Sequence, residues 1–201
     1  MSAPLYLALL HHPVLNRNGQ VVTTSVTNLH IHDIARSSRT YGVASYFVAH
    51  PNRGLRALCE RVAWHWQEGF GARTNESRRT AMDLVRIVPD LDHVLVAIEG
   101  ETGRLPLRIA TSARPGNRET VSFDALRQRM AVGTTPVLIL LGTGYGLPPT
   151  LLDTCDLLLE PLEGAGAYNH LSVRAAAAIA LDRLRSARRP TGIAHDRPPG
   201  Q

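Results

Sequence analysis

The chain has 201 residues, 44% hydrophobic and 19% charged, with a formal net charge of +5. That suffices for one α/β domain with a real core, and no apolar run approaches the ~20 residues that a bilayer span demands. With only two cysteines, Cys59 and Cys155, and neither CxxC nor His-paired spacing, disulfide and zinc frameworks are excluded.

The thiols read as structural ones in a reducing compartment, and a cytoplasmic protein follows. Met1 to Leu10 is apolar but lacks the basic start and small-residue cleavage site of a signal peptide, so a first strand is expected there. All 22 basic residues are arginine. Codon choice in a GC-rich genome explains that bias, and a phosphate-rich partner gripped by guanidinium forks is compatible with it.

In chain order, Leu5–Leu10 predicts a strand, Asn16–Gly19 a turn, and Gln20–Thr24 a return to extended chain. Thr27 or Asn28 caps a helix over about Ile31–Tyr41, with Gly42 placed to end it. Ala44–Ala49 is a strand. Leu55, Leu58, Val62 and Trp66 recur at helical spacing over Asn52–Gln67, and Gly69 and Gly71 close that helix. Ser77–Leu84 is a short basic helix and Val85–Val88 a strand. Asp90 caps a helix to about Glu99, Pro106–Ala110 is a strand, and Ser122 caps a helix to about Met130. Pro136–Leu141 is the wholly apolar run of a central parallel strand. Pro148–Thr154 (short helix), Asp156–Leu159 (buried strand) and an alanine-rich helix over Leu171–Ser186 complete one domain, residues 1–187. A proline- and glycine-bearing stretch, 188–201, reads as a disordered tail.

Strands alternating with helices predict a mostly parallel sheet covered on both faces, whose ligands lie beyond the carboxyl ends of the strands. Three such ends are unusual here. Thr111-Ser112-Ala113-Arg114 follows one strand. Gly142-Thr143-Gly144-Tyr145-Gly146 follows the apolar one. Its alternate glycines permit positive φ and close approach of a ligand, or serve only a tight turn. GxGxG is neither the dinucleotide GxGxxG nor a phosphate loop. The third end, Glu160 to Ser172, is a long segment without apolar periodicity, as binding loops often are. Asn169 and Ser172 stand at a helix entry, to cap it or to face a ligand. Finally His32, Arg36 and Arg39 share one helix face, with Asp33 placed to pair with Arg36. That face is either a solvated salt-bridged surface or a phosphate-gripping, catalytic one.

These segments together resemble the SPOUT methyltransferase superfamily, and within it a bacterial family of RNA methyltransferases. The resemblance runs from roughly Leu5 to Leu184. It rests on Val21–Leu29, Asp33–Arg36, Arg39–Val43, Thr111–Arg114, Leu141–Leu147 and Tyr168–Arg174, in that order. It implies an α/β fold with a deep trefoil knot on the C-terminal side, an exception to unknotted topology. It also implies a homodimer and S-adenosylmethionine as cofactor. The donor-binding residues it implies are Thr111 and Ser112; Leu141, Gly142, Thr143, Gly144 and Gly146; Leu159, Glu160, Pro161 and Leu162; and Asn169, His170, Leu171 and Ser172.

The implied partner is RNA, with transfer RNA favoured, and the acceptor a ribose 2′-oxygen or a base nitrogen. Arg36, six residues before Gly42, matches the arginine that ribose-methylating relatives use. Where those relatives carry an asparagine this chain has His30, and their glutamate has no counterpart in the shorter Gly142–Leu147 loop. Guanine-N1 methyltransferases of the same superfamily use an aspartate base, for which Asp33 is the nearest candidate.

Methyl transfer from a sulfonium needs alignment and removal of the acceptor proton, and no metal. Arg36, Asp33 and His32 are therefore the candidate catalytic residues, and Arg36, Arg39 and Arg114 the RNA contacts. A knotted RNA-binding dimer without turnover and a Rossmann-type nucleotide enzyme are the alternatives.

Overall fold

A computed structural model describes residues 2–114, 118–166 and 168–186. The chain runs β1 (Leu5–Leu10), β2 (Val14–Leu15), β3 (Val21–Val22), α1 (Asn28–Thr40), β4 (Ser45–Ala49), α2 (Arg53–Gln67), α3 (Phe70–Thr74) and α4 (Glu76–Met82). It continues β5 (Val85–Val88), α5 (Leu91–Thr102), β6 (Leu107–Ala110), α6 (Phe123–Val132), β7 (Val137–Gly142), α7 (Pro149–Leu152), β8 (Leu157–Leu158) and α8 (Val173–Arg185). Six strands form one sheet in the order β5-β4-β1-β7-β6-β8. Every pairing in it is parallel. β2 and β3 form a separate antiparallel hairpin.

Strand side chains alternate between faces, and β1 shows the consequence. Leu5, Leu7 and Leu9 enter one core cluster with residues of α1, α2, α4, α6 and α8. Tyr6, Ala8 and Leu10 enter a second with Val94 and Ile98 of α5 and Val14 of the hairpin. Burial on both faces is why β1 and β7 read as unbroken apolar runs. Each leucine so buried contributes roughly 2 kcal/mol of transfer free energy.

The helix starts follow the expected chemistry. Thr27, Asn52, Asp90, Ser122 and Ser172 each accept a bond from a first-turn amide, worth about 1 kcal/mol per cap. Gly42 takes the left-handed conformation, φ +67°, just past α1.

Two elements differ from expectation. The chain past Gly69 re-enters a helical turn as α3, because the Glu68 and Gly69 amides both bond to Trp64 O and turn it back. Val14–Leu15 forms a strand that its two residues of sequence do not announce. The tail, 188–201, lies outside the described residues, as do Pro115, Gly116, Asn117 and Ala167.

Candidate functional site

Order reverses around β1, whose neighbours are β4 on one side and β7 on the other. In open parallel sheets, ligands bind beyond the carboxyl ends of strands near such a switch. A cavity of about 920 Å³ opens there, lined by the chain that follows β6, β7 and β8.

All fifteen residues expected at the donor site line that cavity: Thr111, Ser112, Leu141, Gly142, Thr143, Gly144, Gly146, Leu159, Glu160, Pro161, Leu162, Asn169, His170, Leu171 and Ser172. Arg114 lines it too, joined by Arg17 and Arg118. His32, Asp33, Arg36 and Arg39 are not among its lining residues.

The glycine loop is held by the hairpin. Tyr145 N donates to Leu15 O at 2.9 Å and Leu15 N to Gly146 O at 2.9 Å. Gly144, at φ +60°, brings its Cα so close that an added Cβ would meet Leu15 O at 2.7 Å. Gly146 has φ +99° with open space where its Cβ would lie. The first of these glycines is required by packing within the protein, the second by backbone conformation alone. Thr143 anchors the loop from below, its amide and hydroxyl both donating to Leu10 O at 3.2 Å.

The outer two loops are tied to each other. Val121 N donates to Leu158 O at 2.8 Å and Glu160 N to Val121 O at 2.9 Å. Glu160 Oε1 accepts from Phe123 N at 2.7 Å, a carboxylate at the positive end of α6. Ser172 caps α8, accepting from Ala175 N at 3.2 Å, so the capping explanation holds for it. Thr111 is pinned by its hydroxyl on Leu140 O at 2.9 Å. Arg118 is drawn to Asp153 at 2.9 Å.

The charged face of α1 departs from expectation in one respect. Asp33 pairs with Arg174 of α8, in close contact, and not with Arg36. Pairing across two helices outcompetes the neighbour on the same helix because α1 packs along α8, where Tyr41 OH also reaches Asp182 at 2.9 Å. Arg36 and Arg39 are left exposed. His32 packs edge-on against Trp66, ring centroids 5.7 Å apart. Burial, then the cation of Arg78 stacked on the same indole, pushes its pKa below the usual histidine value.

Sequence reasoning missed a cluster beneath the cavity. His11 follows β1 and His50 follows β4, while His30 sits in the first turn of α1. The ring of His11 lies 5.6 Å from that of His30 and 5.3 Å from that of His50. His11 and His50 are fully buried, and His30 lines the cavity. Among the described residues no group of three or more His, Cys, Asp or Glu is arranged to hold a metal.

A large pocket with glycine cradles, leucine walls and a few threonine, serine and asparagine groups suits a nucleoside carrying an amino-acid arm. The parallel sheet and this site define an α/β protein with a nucleoside-sized pocket beyond its strand ends. The SpoU methyltransferase AviRb of Streptomyces viridochromogenes, solved with AdoMet, shares the fold at TM-score 0.56 and 18% identity, over 92% of this chain and 57% of that one.

The chain belongs to the SAM-dependent RNA methyltransferase family, whose sequence model matches residues 4–186. It is an enzyme of that activity, with S-adenosylmethionine as methyl donor. An uncharacterized Aquifex aeolicus protein is 41% identical over 185 residues, covering 92% of this chain and 90% of that protein. An Oleidesulfovibrio alaskensis protein called tRNA (guanine-N(1)-)-methyltransferase is 44% identical over 180 residues, 90% of this chain. This chain spans only 41% of that relative's length.

Proposed function

We propose that residues 1–187 act as one unit that methylates transfer RNA in the cytoplasm, with S-adenosylmethionine held in the 920 Å³ cavity. The observation that carries the site assignment is that segments 111–114, 141–147, 159–162 and 169–172 all line one cavity. In this reading they form the trefoil knot implied by the likeness to SPOUT proteins. The transfer RNA assignment rests on the Oleidesulfovibrio relative's name, which belongs to a longer protein.

The residues divide the work. Leu162 and the chain at Leu141 and Leu159 line the space for the adenine, and Thr111, Ser112, Asn169 and His170 offer polar groups to the ribose and amino-acid arm. Bound there, the donor supplies a sulfonium methyl group. Arg17 and Arg114 on the cavity lining and Arg36 and Arg39 on α1 grip the RNA backbone, as guanidinium suits phosphate. A second copy completes the site. Exposed Leu29, next to His30 in the chain, and exposed Tyr145 and Leu171 of the cavity lining give it apolar surface to cover. Asp33, committed to Arg174, and His32, packed on Trp66, orient α1 rather than touch the acceptor.

The test is transfer of tritium from methyl-labelled S-adenosylmethionine into small RNA or ribosomal RNA from a strain lacking the gene, followed by mass spectrometry of nucleosides. Label in one modified nucleoside of the small-RNA fraction is expected. Label confined to ribosomal RNA would refute the transfer RNA assignment, and labelling of neither would refute the activity.

A further inference from the structure

A run of hydrogen bonds leads from Leu10 O through Thr143 and Thr24 to His11, with the rings of His30 and His50 beside it. Thr143 Oγ donates to Leu10 O at 3.2 Å. With the Thr143 proton on Leu10 O, Thr143 accepts in its close contact with the Thr24 hydroxyl, which then gives up its only proton there. Thr24 Oγ must then accept from His11 Nδ1, 3.2 Å away. So His11 carries its proton on Nδ1, and its Nε2 is a bare acceptor, buried and without a partner. His50 is fixed separately: its Nδ1 accepts from Asn52 N and its Nε2 donates to Thr24 O, both at 3.0 Å.

His30 is a ring neighbour of His11. Its Nδ1 is likewise buried and without a partner, and its ring lies 5.6 Å from that of His11. Unpaired buried groups are costly, and a proton on His30 Nδ1 directed at His11 Nε2 would satisfy both atoms. The proton of neutral His30 then sits on Nδ1, which leaves a lone pair on Nε2. The backbone of His30 is held as well: its amide donates to the Thr27 cap at 3.3 Å and its carbonyl accepts from the buried Tyr46 hydroxyl at 3.2 Å.

We propose that His30 is the general base of the methyl transfer, with Nε2 meeting the acceptor proton, and that His11 is the positioning residue that fixes its tautomer. The inference rests on the reading that the cavity holds the donor. The acceptor lone pair takes the methyl group and the carbon–sulfur pair remains on sulfur. The acceptor proton passes to His30 Nε2, and the imidazolium then releases it to solvent. A neutral imidazole is ready for this: burial and then the cation of Arg174, on α8, lower the pKa of His30. Among the described residues, the charged and titratable groups around it are that arginine, itself paired with Asp33, His11, and the Tyr46 hydroxyl on its carbonyl.

Two measurements test this. In single-turnover transfer to small RNA from the deletion strain, His30→Ala and His30→Gln should each lower the rate ~100-fold or more, the scale of general-base catalysis. Calorimetric affinity for S-adenosylmethionine should stay within about threefold. His11→Asn, which keeps a donor toward Thr24 but removes the acceptor, should lower the rate ~10-fold and move the acid limb of the pH–rate profile. Independently of turnover, ¹⁵N chemical shifts should show His30 protonated on Nδ1. Wild-type rates in the His30 variants, loss of donor affinity in step with rate, or an Nε2–H tautomer of His30 would each overturn the assignment. A wild-type protein that transfers no label would instead refute the reading on which it rests.

Discussion

The glycine loop after β7 and the histidine cluster at the ends of β1 and β4 meet at one residue, Thr143, yet they are assembled in contrasting ways. The loop is a backbone structure written in consecutive residues, 142 to 147. The cluster is a side-chain structure drawn from positions 11, 24, 30, 50 and 143. A wall made of backbone leaves a local mark, because glycines must stand where φ is positive or a carbonyl passes close. A polar cluster made of side chains leaves none, since the topology alone brings its members together. The difference predicts two kinds of fragility, one of conformation and one of protonation.

The largest effect should be on the protonation side. Burial first, then repulsion from His30 and His50, lowers the pKa of His11 to about 3. The unfolded chain takes up this proton near pH 6.5 while the folded protein refuses it. Stability from this residue is therefore full above about pH 6.5 and declines as pH falls toward 3, by on the order of a few kcal/mol. Burial lowers the pKa of His30 and His50 too, which acts in the same direction. Urea unfolding from pH 7 to pH 4 should show that slope in the wild type and a shallower one in His11→Asn. Equal slopes would mean that His11 is not the buried neutral group.

Next comes the backbone side. Gly144→Val places a branched side chain at φ +60° and 2.7 Å from Leu15 O, a strain of roughly 1–3 kcal/mol. Titration calorimetry should find affinity for S-adenosylmethionine weakened ~10-fold or more, with the histidine tautomers unchanged. Intact affinity would show that the loop shape does not form the donor site.

Smaller still, Arg36→Gln and Arg39→Gln should each weaken RNA binding several-fold and lower the slope of log K against log salt by about 1, leaving donor affinity alone. An unchanged salt slope would take α1 out of the RNA interface. The least effect belongs to the Asp33–Arg174 pair, whose side chains are 41% and 33% exposed. A double-mutant cycle on thermal unfolding should give a coupling under ~1 kcal/mol, and a larger value would mark the pair as part of the site's architecture.

This contrast also explains what could be read from the chain. Thr27, Asn52, Asp90, Ser122 and Ser172 announce helix starts because a cap and its amides lie within three residues of each other. The order and burial of β1 and β7 follow from apolar runs. The three cavity loops were legible as strand ends and, as a set, by likeness to known methyltransferases. The choice of Arg174 over Arg36 as partner of Asp33 was not, because 141 residues of chain separate the two. Nor were β2, stabilised by pairing with Val21–Val22 and by bonds to the glycine loop, and the role of His30, which stood out only as a departure from the related enzymes.

The most direct trial of the account is a crystal structure of the protein with S-adenosylhomocysteine. The adenosine should lie against Leu141–Leu147 and Leu159–Leu162, with His30 on the open side of the sulfur. Density for the nucleoside at any other surface, or at the cavity with His30 turned away from the sulfur, would contradict it.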